Sequence, residues 1–203
     1  MTSPAVTPEN IHTFWFGTDA DDARVAEQQA AMWWAKDEAV DEDIRRRFGG
    51  TLEAAVAGEL NSWETSPRGV LALVLVTDQF SRTIHRDRPQ AFASDPIALA
   101  WARSAVDAGV DGDLRPIERV FLYLPFEHAE SMADQDRAVN LFQSLLEHVP
   151  PPHRPTFRGY LDFAVQHRDV IARFGRFPHR NRVLGRTTTD AERVFLSQPG
   201  SSF

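Results

Sequence analysis

Carboxylate, guanidinium and imidazole side chains recur in this chain on stripes that are otherwise apolar. Those stripes are where chemistry would be sited. Within residues 67–84, Leu71, Val74 and Leu75 lead at helical spacing to Asp78 and then Arg82. A carboxylate and a guanidinium therefore share one face of an element that is apolar nearly all round. Two readings follow. Asp78 and Arg82 form an internal pair that fixes packing, or Arg82 presents its planar fork to a ligand carboxylate or phosphate while Asp78 orients it.

The segment IERVFLYLPFEHAE places Glu118 in the first turn of a helix, and Glu127, His128 and Glu130 just beyond Pro125. Glu118 there also complements the helix N-terminus electrostatically. Two carboxylates near an imidazole suit general acid–base work once burial moves their pKa values toward neutrality. On 157–174, Tyr160, Ala164, His167, Ile171 and Phe174 form a stripe at steps of three and four, which turns His167 inward. Arg176, His179, Arg180, Asn181, Arg182 and Arg186 then crowd one short connection around Gly175 and Pro178. So many donors at fixed turns suit an anion, with a solvated basic loop as the simpler reading for Arg182 and Arg186. The resulting candidates are His128, His167, His179, Glu118 and Glu127 for proton transfer, and Asp78, Arg82, Arg176, Arg180 and Asn181 for binding.

The elements that must position these groups read as helices. Thr7-Pro8, Ser66-Pro67 and Asp95-Pro96 look like helix starts, Gly17 and Gly109 like stops, and Thr189 with Glu192 has capping-box spacing. Further helices are predicted over 21–35, 38–48, 51–60, 67–84, 96–108, 116–124, 132–148, 157–174 and 190–197, with Pro125 ending or kinking the sixth of these. Val70 to Val76 is the only serious strand candidate, and no other strands are available to pair with it. The short Gly- and Pro-bearing connections favour antiparallel helical hairpins in one domain spanning 1–203, an all-α fold. Pro199 to Phe203 is expected to pack on the body through Phe203.

Composition narrows the function classes. The 203 residues contain no cysteine, which excludes disulfides, thiolate nucleophiles and Cys-ligated zinc and suits a reducing cytoplasm. A net charge of -7 argues against nucleic-acid binding, which relies on clustered cations. The start of the chain lacks a signal-peptide pattern, and no apolar run approaches the roughly 18 residues needed for a membrane span. No phosphate-binding loop, dinucleotide fingerprint, nucleophile elbow or HExxH zinc motif occurs. Glu9 to His12 is a single Glu-x-x-His where a di-iron bundle wants a pair. A looser metal site from Glu127, His128, His167 and His179 lacks ligand spacing, so neither a metal nor any other cofactor is assigned.

FWFG at Phe14 to Gly17, Trp33-Trp34, DQFSR at Asp78 to Arg82, ERVFLYLPFEHAE at Glu118 to Glu130, HRDVIARFGRFPHRN at His167 to Asn181 and the terminal PGSSF occur in one order along the chain. Together they resemble the bacterial family catalogued as domain of unknown function 924, across essentially the whole length. The resemblance implies a tetratricopeptide-like all-α array and carries no assigned activity. Relatives commonly have DQFPRN, where this chain has Ser81 and Thr83, and often an aromatic where it has His85. Three functional classes stand at this point. The first is a small-molecule enzyme or binder with an Arg/His/Glu pocket for an anion. The second is a tetratricopeptide-like module that binds a protein partner along a groove. In the third, the polar motifs serve packing alone.

Overall fold

The structure is a computed structural model that describes residues 6–201. Phe203, expected to anchor the tail, lies outside the described residues. Among those residues every regular element is helical. The helices are α1 (Pro8–Phe16), α2 (Asp22–Trp34), α3 (Glu38–Val56), α4 (Pro67–Val74), α5 (Ser81–Ile84), α6 (Asp95–Asp107), α7 (Pro116–Glu127), α8 (Met132–His148), α9 (Arg154–Phe174) and α10 (Asp190–Leu196). Short 3₁₀ turns join several of them. Successive helices α7, α8 and α9 pack side by side as hairpins, while α3, α6 and α1 flank the α4–α5 segment. This stacking is compatible with a tetratricopeptide-like array.

Cap chemistry sets three of the boundaries the sequence suggested, while the helix at Asp95-Pro96 starts with no side-chain cap. The Thr7 hydroxyl accepts from the Asn10 N–H, Ser66 from Gly69 and Thr189 from Glu192. Gly69 has a second role. A Cβ there would lie 1.9 Å from the Trp63 carbonyl oxygen, so only glycine lets the preceding 3₁₀ turn approach the start of α4.

Two expected helix breaks do not occur. Gly49 and Gly50 lie inside α3, which runs unbroken from Glu38 to Val56 instead of splitting into 38–48 and 51–60. Phe48, Thr51 and Leu52 are buried on either side of the glycines, and that burial outweighs a propensity cost of roughly 1 kcal/mol per glycine. A Cβ at the exposed Gly50 would meet nothing within 4 Å. Gly50→Ala is therefore expected to stabilise the protein by about 0.5–1 kcal/mol, read from its urea midpoint, and a loss of stability would show that the helix needs the glycine. Pro125 likewise fails to end α7. It has no N–H to give, but the His128 N–H reaches the Leu124 carbonyl at 2.8 Å, and the helix continues to Glu127. That extra turn carries Glu127 and His128 into the interior.

The element predicted at 67–84 is central, and all of its side chains from 69 to 81 are buried. It is not one uniform helix. Leu75–Phe80 forms a π-helical turn between α4 and α5. Such turns widen the helix and misalign its hydrogen-bond ladder, and side chains repair the ladder here. The Thr77 hydroxyl donates to the Leu73 carbonyl at 2.7 Å, and Ser94 donates to the Thr77 carbonyl at 2.6 Å. An aromatic cluster packs beneath, with Trp15 lying 5.3 Å from Phe80 and 5.5 Å from Phe121 in edge-on contacts. The FWFG and Trp-Trp motifs meet there, since the Trp33 indole N–H donates to the Trp15 carbonyl at 3.0 Å.

Candidate functional site

The π turn presents Asp78, whose side chain is fully buried. Its polar atoms are held from several sides. The His128 Nδ1–H donates to Oδ1 at 2.8 Å, Arg82 Nη1 lies 3.2 Å from the same oxygen and donates to the Asp78 carbonyl, and the Gln79 amide donates to Oδ2. Arg82 also makes a bidentate pair with Asp95, at 2.8 and 3.1 Å. Arg180 reaches Asp95 more loosely at 3.5 Å and stacks on the rings of Phe92 and Phe177. Two guanidinium groups thus face two carboxylates. The internal pair of Asp78 and Arg82 is present, while the Arg82 fork, read alternatively as a group for a ligand, is taken by Asp95.

Burial alone would raise the Asp78 pKa, but the charges of Arg82 and His128 and the hydrogen bonds from His128 and Gln79 outweigh it and hold the carboxyl ionised. His128 is pushed below its ordinary value, first by burial and then by the Arg82 charge, with Asp78 opposing. It is therefore a neutral imidazole at neutral pH with its proton on Nδ1. Nε2 is left as a basic nitrogen.

Glu127 and His167 form a second pair, with Nδ1 of the ring 3.0 Å from Oε1 of the carboxyl and 2.9 Å from the Phe163 carbonyl oxygen. A carbonyl only accepts, so Nδ1 carries the proton. Burial, and then the Asp78 charge, raise the Glu127 pKa to about 8, while burial and then the charge on His128 lower that of His167 to about 3. Both groups are thus neutral at neutral pH, and their 3.0 Å approach is not a salt bridge. His179 is lowered to about 4 by burial and then by Arg180, and Arg180 itself to about 10 by burial and then by Arg82. The rings of His128 and His167 lie 6.3 Å apart, and Phe177 bridges His167 and His179 at 5.5 and 5.6 Å.

A cavity of about 860 Å³ opens on this cluster between α2, α7, α8 and α9. Glu127, His128 and His167 line it together with Trp34, Leu124, Phe142, Tyr160 and Phe163, and Arg24 and Glu27 of α2 add two further charged groups. Trp34 and Phe163 are 52% and 54% exposed, unusual for rings of that size.

Seven of the ten sequence candidates therefore converge: Asp78, Arg82, Glu127, His128, His167, His179 and Arg180. Three do not. Glu118 lies nine residues before Glu127 on α7, about 13 Å along the axis. There it accepts from the Arg115 N–H at 2.9 Å and lies 3.6 Å from His12. Burial opposes its ionisation, but those two contacts and the Arg68 charge hold its pKa down. Arg176 is bound bidentately by Glu192, at 2.7 and 2.9 Å, which fixes α10 against the connection. Asn181 is buried but is engaged with Thr188 and with Arg186, and so holds its own loop together. Arg186 is not a solvated cation either, since it clamps Glu130 at 2.6 and 2.9 Å while Glu130 accepts from the Phe177 N–H. Asp95, read from sequence only as part of a helix start, turns its carboxylate to both arginines.

The same stretches decide the relationship of the chain to known proteins. A family model described as a bacterial protein of unknown function (DUF924) matches residues 11–200. The chain belongs to this family. A solved structure from Agrobacterium tumefaciens, the protein of unknown function ATU0120, is similar to it at 38% sequence identity with a TM-score of 0.73. The likeness covers 87% of this chain and 99% of that one. A comparison with curated proteins finds no match. This DUF924 chain has no helix among its described residues that is long and apolar enough to cross a membrane. Nor does any group of three or more His, Asp or Glu residues among them have the arrangement of a metal site.

Proposed function

We propose that the protein is a small-molecule enzyme or binder of the cytoplasm. Its ligand is an organic molecule with an apolar body held in the α2–α9 cavity and a polar, preferably anionic, end at the histidine cluster. The observation that carries this is the convergence of His128, bound to Asp78 at 2.8 Å, with Glu127 at the inner end of a cavity walled mainly by apolar and aromatic side chains. An apolar volume with a few convergent polar groups of perturbed pKa is the usual form of a small-molecule site. Arg180 is outside the cavity lining, but its charge acts on His128 and His167 and favours an anionic end. The residue is 6% exposed, its one side-chain hydrogen bond is the long contact to Asp95, and its Nε is buried with no hydrogen-bond partner among the described residues.

A thermal-shift screen of small organic acids and their neutral analogues tests the proposal. A ligand at a hundredfold over its dissociation constant adds about 2.7 kcal/mol of apparent stability. In a chain of this length that raises the melting temperature by roughly 5–10 °C. Anions are expected to outperform neutral analogues, and Arg180→Gln to lose that preference. The half-exposed rings of Trp34 and Phe163 favour a second reading, a tetratricopeptide-like interaction module. A flat screen together with a protein that co-purifies stoichiometrically, and is released by Trp34→Ala, would support the module instead.

A further inference from the structure

Resting on the reading of the cavity as a small-molecule site, we infer that its chemistry is proton transfer at carbon next to a carbonyl group, with His128 as base and Glu127 as the donor to the carbonyl oxygen, on a substrate with a largely apolar body.

Two groups of opposite character stand side by side at the inner end of the cavity. His128 is fixed through Nδ1 by Asp78, and its Nε2 is the nitrogen left to a ligand. Glu127 is in the same cavity wall, with Oε1 3.0 Å from His167 Nδ1. In its protonated form the carboxyl donates. A base that accepts a proton and an acid that donates one, in a cavity with apolar walls such as Leu124 and Phe142, are the two requirements of enolisation. The α-proton goes to His128 Nε2, the C–H electron pair becomes the carbon–carbon double bond, and the carbonyl π pair moves onto oxygen, where Glu127 donates. Returning the proton to the same carbon exchanges it with solvent, and returning it to another carbon shifts the double bond. The step balances without an oxidant, a reductant or a co-reactant.

The alternative, acyl transfer through a covalent intermediate, needs a nucleophile within reach of the base. The hydroxyls in the cavity wall belong to Thr156 and Tyr160. They lie eleven and seven residues before His167 on α9, about 16 and 10 Å along the helix axis. Neither is hydrogen-bonded to His128, whose ring bonds Asp78. Among the charges around the base, Asp78 fixes its tautomer and stabilises the imidazolium formed on abstraction, against the opposing charges of Arg82 and Arg180.

The full-length protein would be incubated in deuterated buffer with benzylacetone, an apolar ketone, and with benzoylpropionate, an aromatic ketone bearing a carboxylate. Loss of α-proton NMR intensity reads the exchange, and line broadening of the probe in the same sample reads binding. Wild type is expected to accelerate exchange by about a hundredfold or more over an equal concentration of free imidazole, and His128→Ala to lose at least about a hundredfold of that. Glu127→Gln keeps a neutral donor. Its amide donates less strongly than the acid, so exchange should fall below that of wild type at neutral pH yet lose the further alkaline decline that wild type shows, a signature that a purely structural glutamate would not give and that does not depend on the folding of His128→Ala. Probes that bind without accelerated exchange overturn this inference and leave the binding proposal standing, as does ester cleavage in place of exchange. A cavity that binds neither ketone overturns both.

Discussion

Replacing Asp78 with alanine is expected to destabilise the protein by about 3 kcal/mol, the largest single effect the structure predicts outside the aromatic core. The carboxylate is inaccessible to solvent and serves Arg82, His128 and Gln79 together. Its removal leaves a guanidinium and an imidazole donor short of an acceptor in the interior. Deleting one partner of a buried ion pair costs about 3–5 kcal/mol in general, and the bidentate contact of Arg82 with Asp95 places this case at the lower end. Asp78→Asn keeps the shape and one acceptor oxygen, so it should cost less. Urea denaturation at neutral pH measures both. A change below about 0.5 kcal/mol for Asp78→Ala, the range of an ordinary surface substitution, would contradict the assignment of Asp78 as the hub of the cluster.

The second large effect is a dependence of stability on pH that a single substitution removes. Glu127 titrates at about 8 in the folded protein against an ordinary value of 4.5. Between those values the folded state holds a proton that the unfolded chain has released, so stability falls as pH rises through the interval. His167 and His179, lowered to about 3 and 4 from 6.5, act in the opposite sense. Below pH 6.5 the unfolded chain takes up protons that the folded state refuses, and stability is lost as pH falls. Asp78, held below its ordinary value, adds a further loss in acid. These groups together place the stability maximum near pH 6.5, with a decline toward pH 8 due to Glu127. At about 1.4 kcal/mol per pH unit, that decline amounts to on the order of 2 kcal/mol. Glu127→Gln, which mimics the protonated acid, should hold a flat profile from pH 6.5 to 8 and lie above wild type by a margin that widens across that interval. Parallel melting curves for the two proteins across that interval would mean that Glu127 is ionised throughout.

Much of this cluster is legible in the sequence because its members fall on helical stripes. Asp78 and Arg82 are four residues apart on the most apolar segment of the chain, and His167 lies within a run of three- and four-residue steps that buries it. The local pattern says less where a tertiary partner decides. Arg176 and Arg186 look like free charges until Glu192 and Glu130 arrive from other parts of the fold to bind them, and Glu118, which accepts locally from the Arg115 N–H, meets His12 only through the fold. Asp95 is the converse case. An Asp-Pro pair announces a helix start, and nothing nearby in sequence reveals that the carboxylate will face two arginines. The π turn leaves no mark in the string LVTDQF, since it depends on Thr77 and Ser94 satisfying carbonyls that the widened turn misaligns. Gly49-Gly50 and Pro125 read as breaks because propensity is local, whereas burial of Phe48, Leu52 and Phe126 acts across the fold. The cavity is invisible in sequence for the same reason, as its walls come from four helices.

The ¹⁵N chemical shifts of the His128 ring, recorded at neutral pH with and without a ligand that raises the melting temperature, test the account most directly. The prediction is a neutral ring protonated at Nδ1, whose Nε2 resonance moves when the ligand binds while Nδ1 stays with Asp78. A charged ring, a proton on Nε2, or an Nε2 resonance indifferent to the ligand would contradict it.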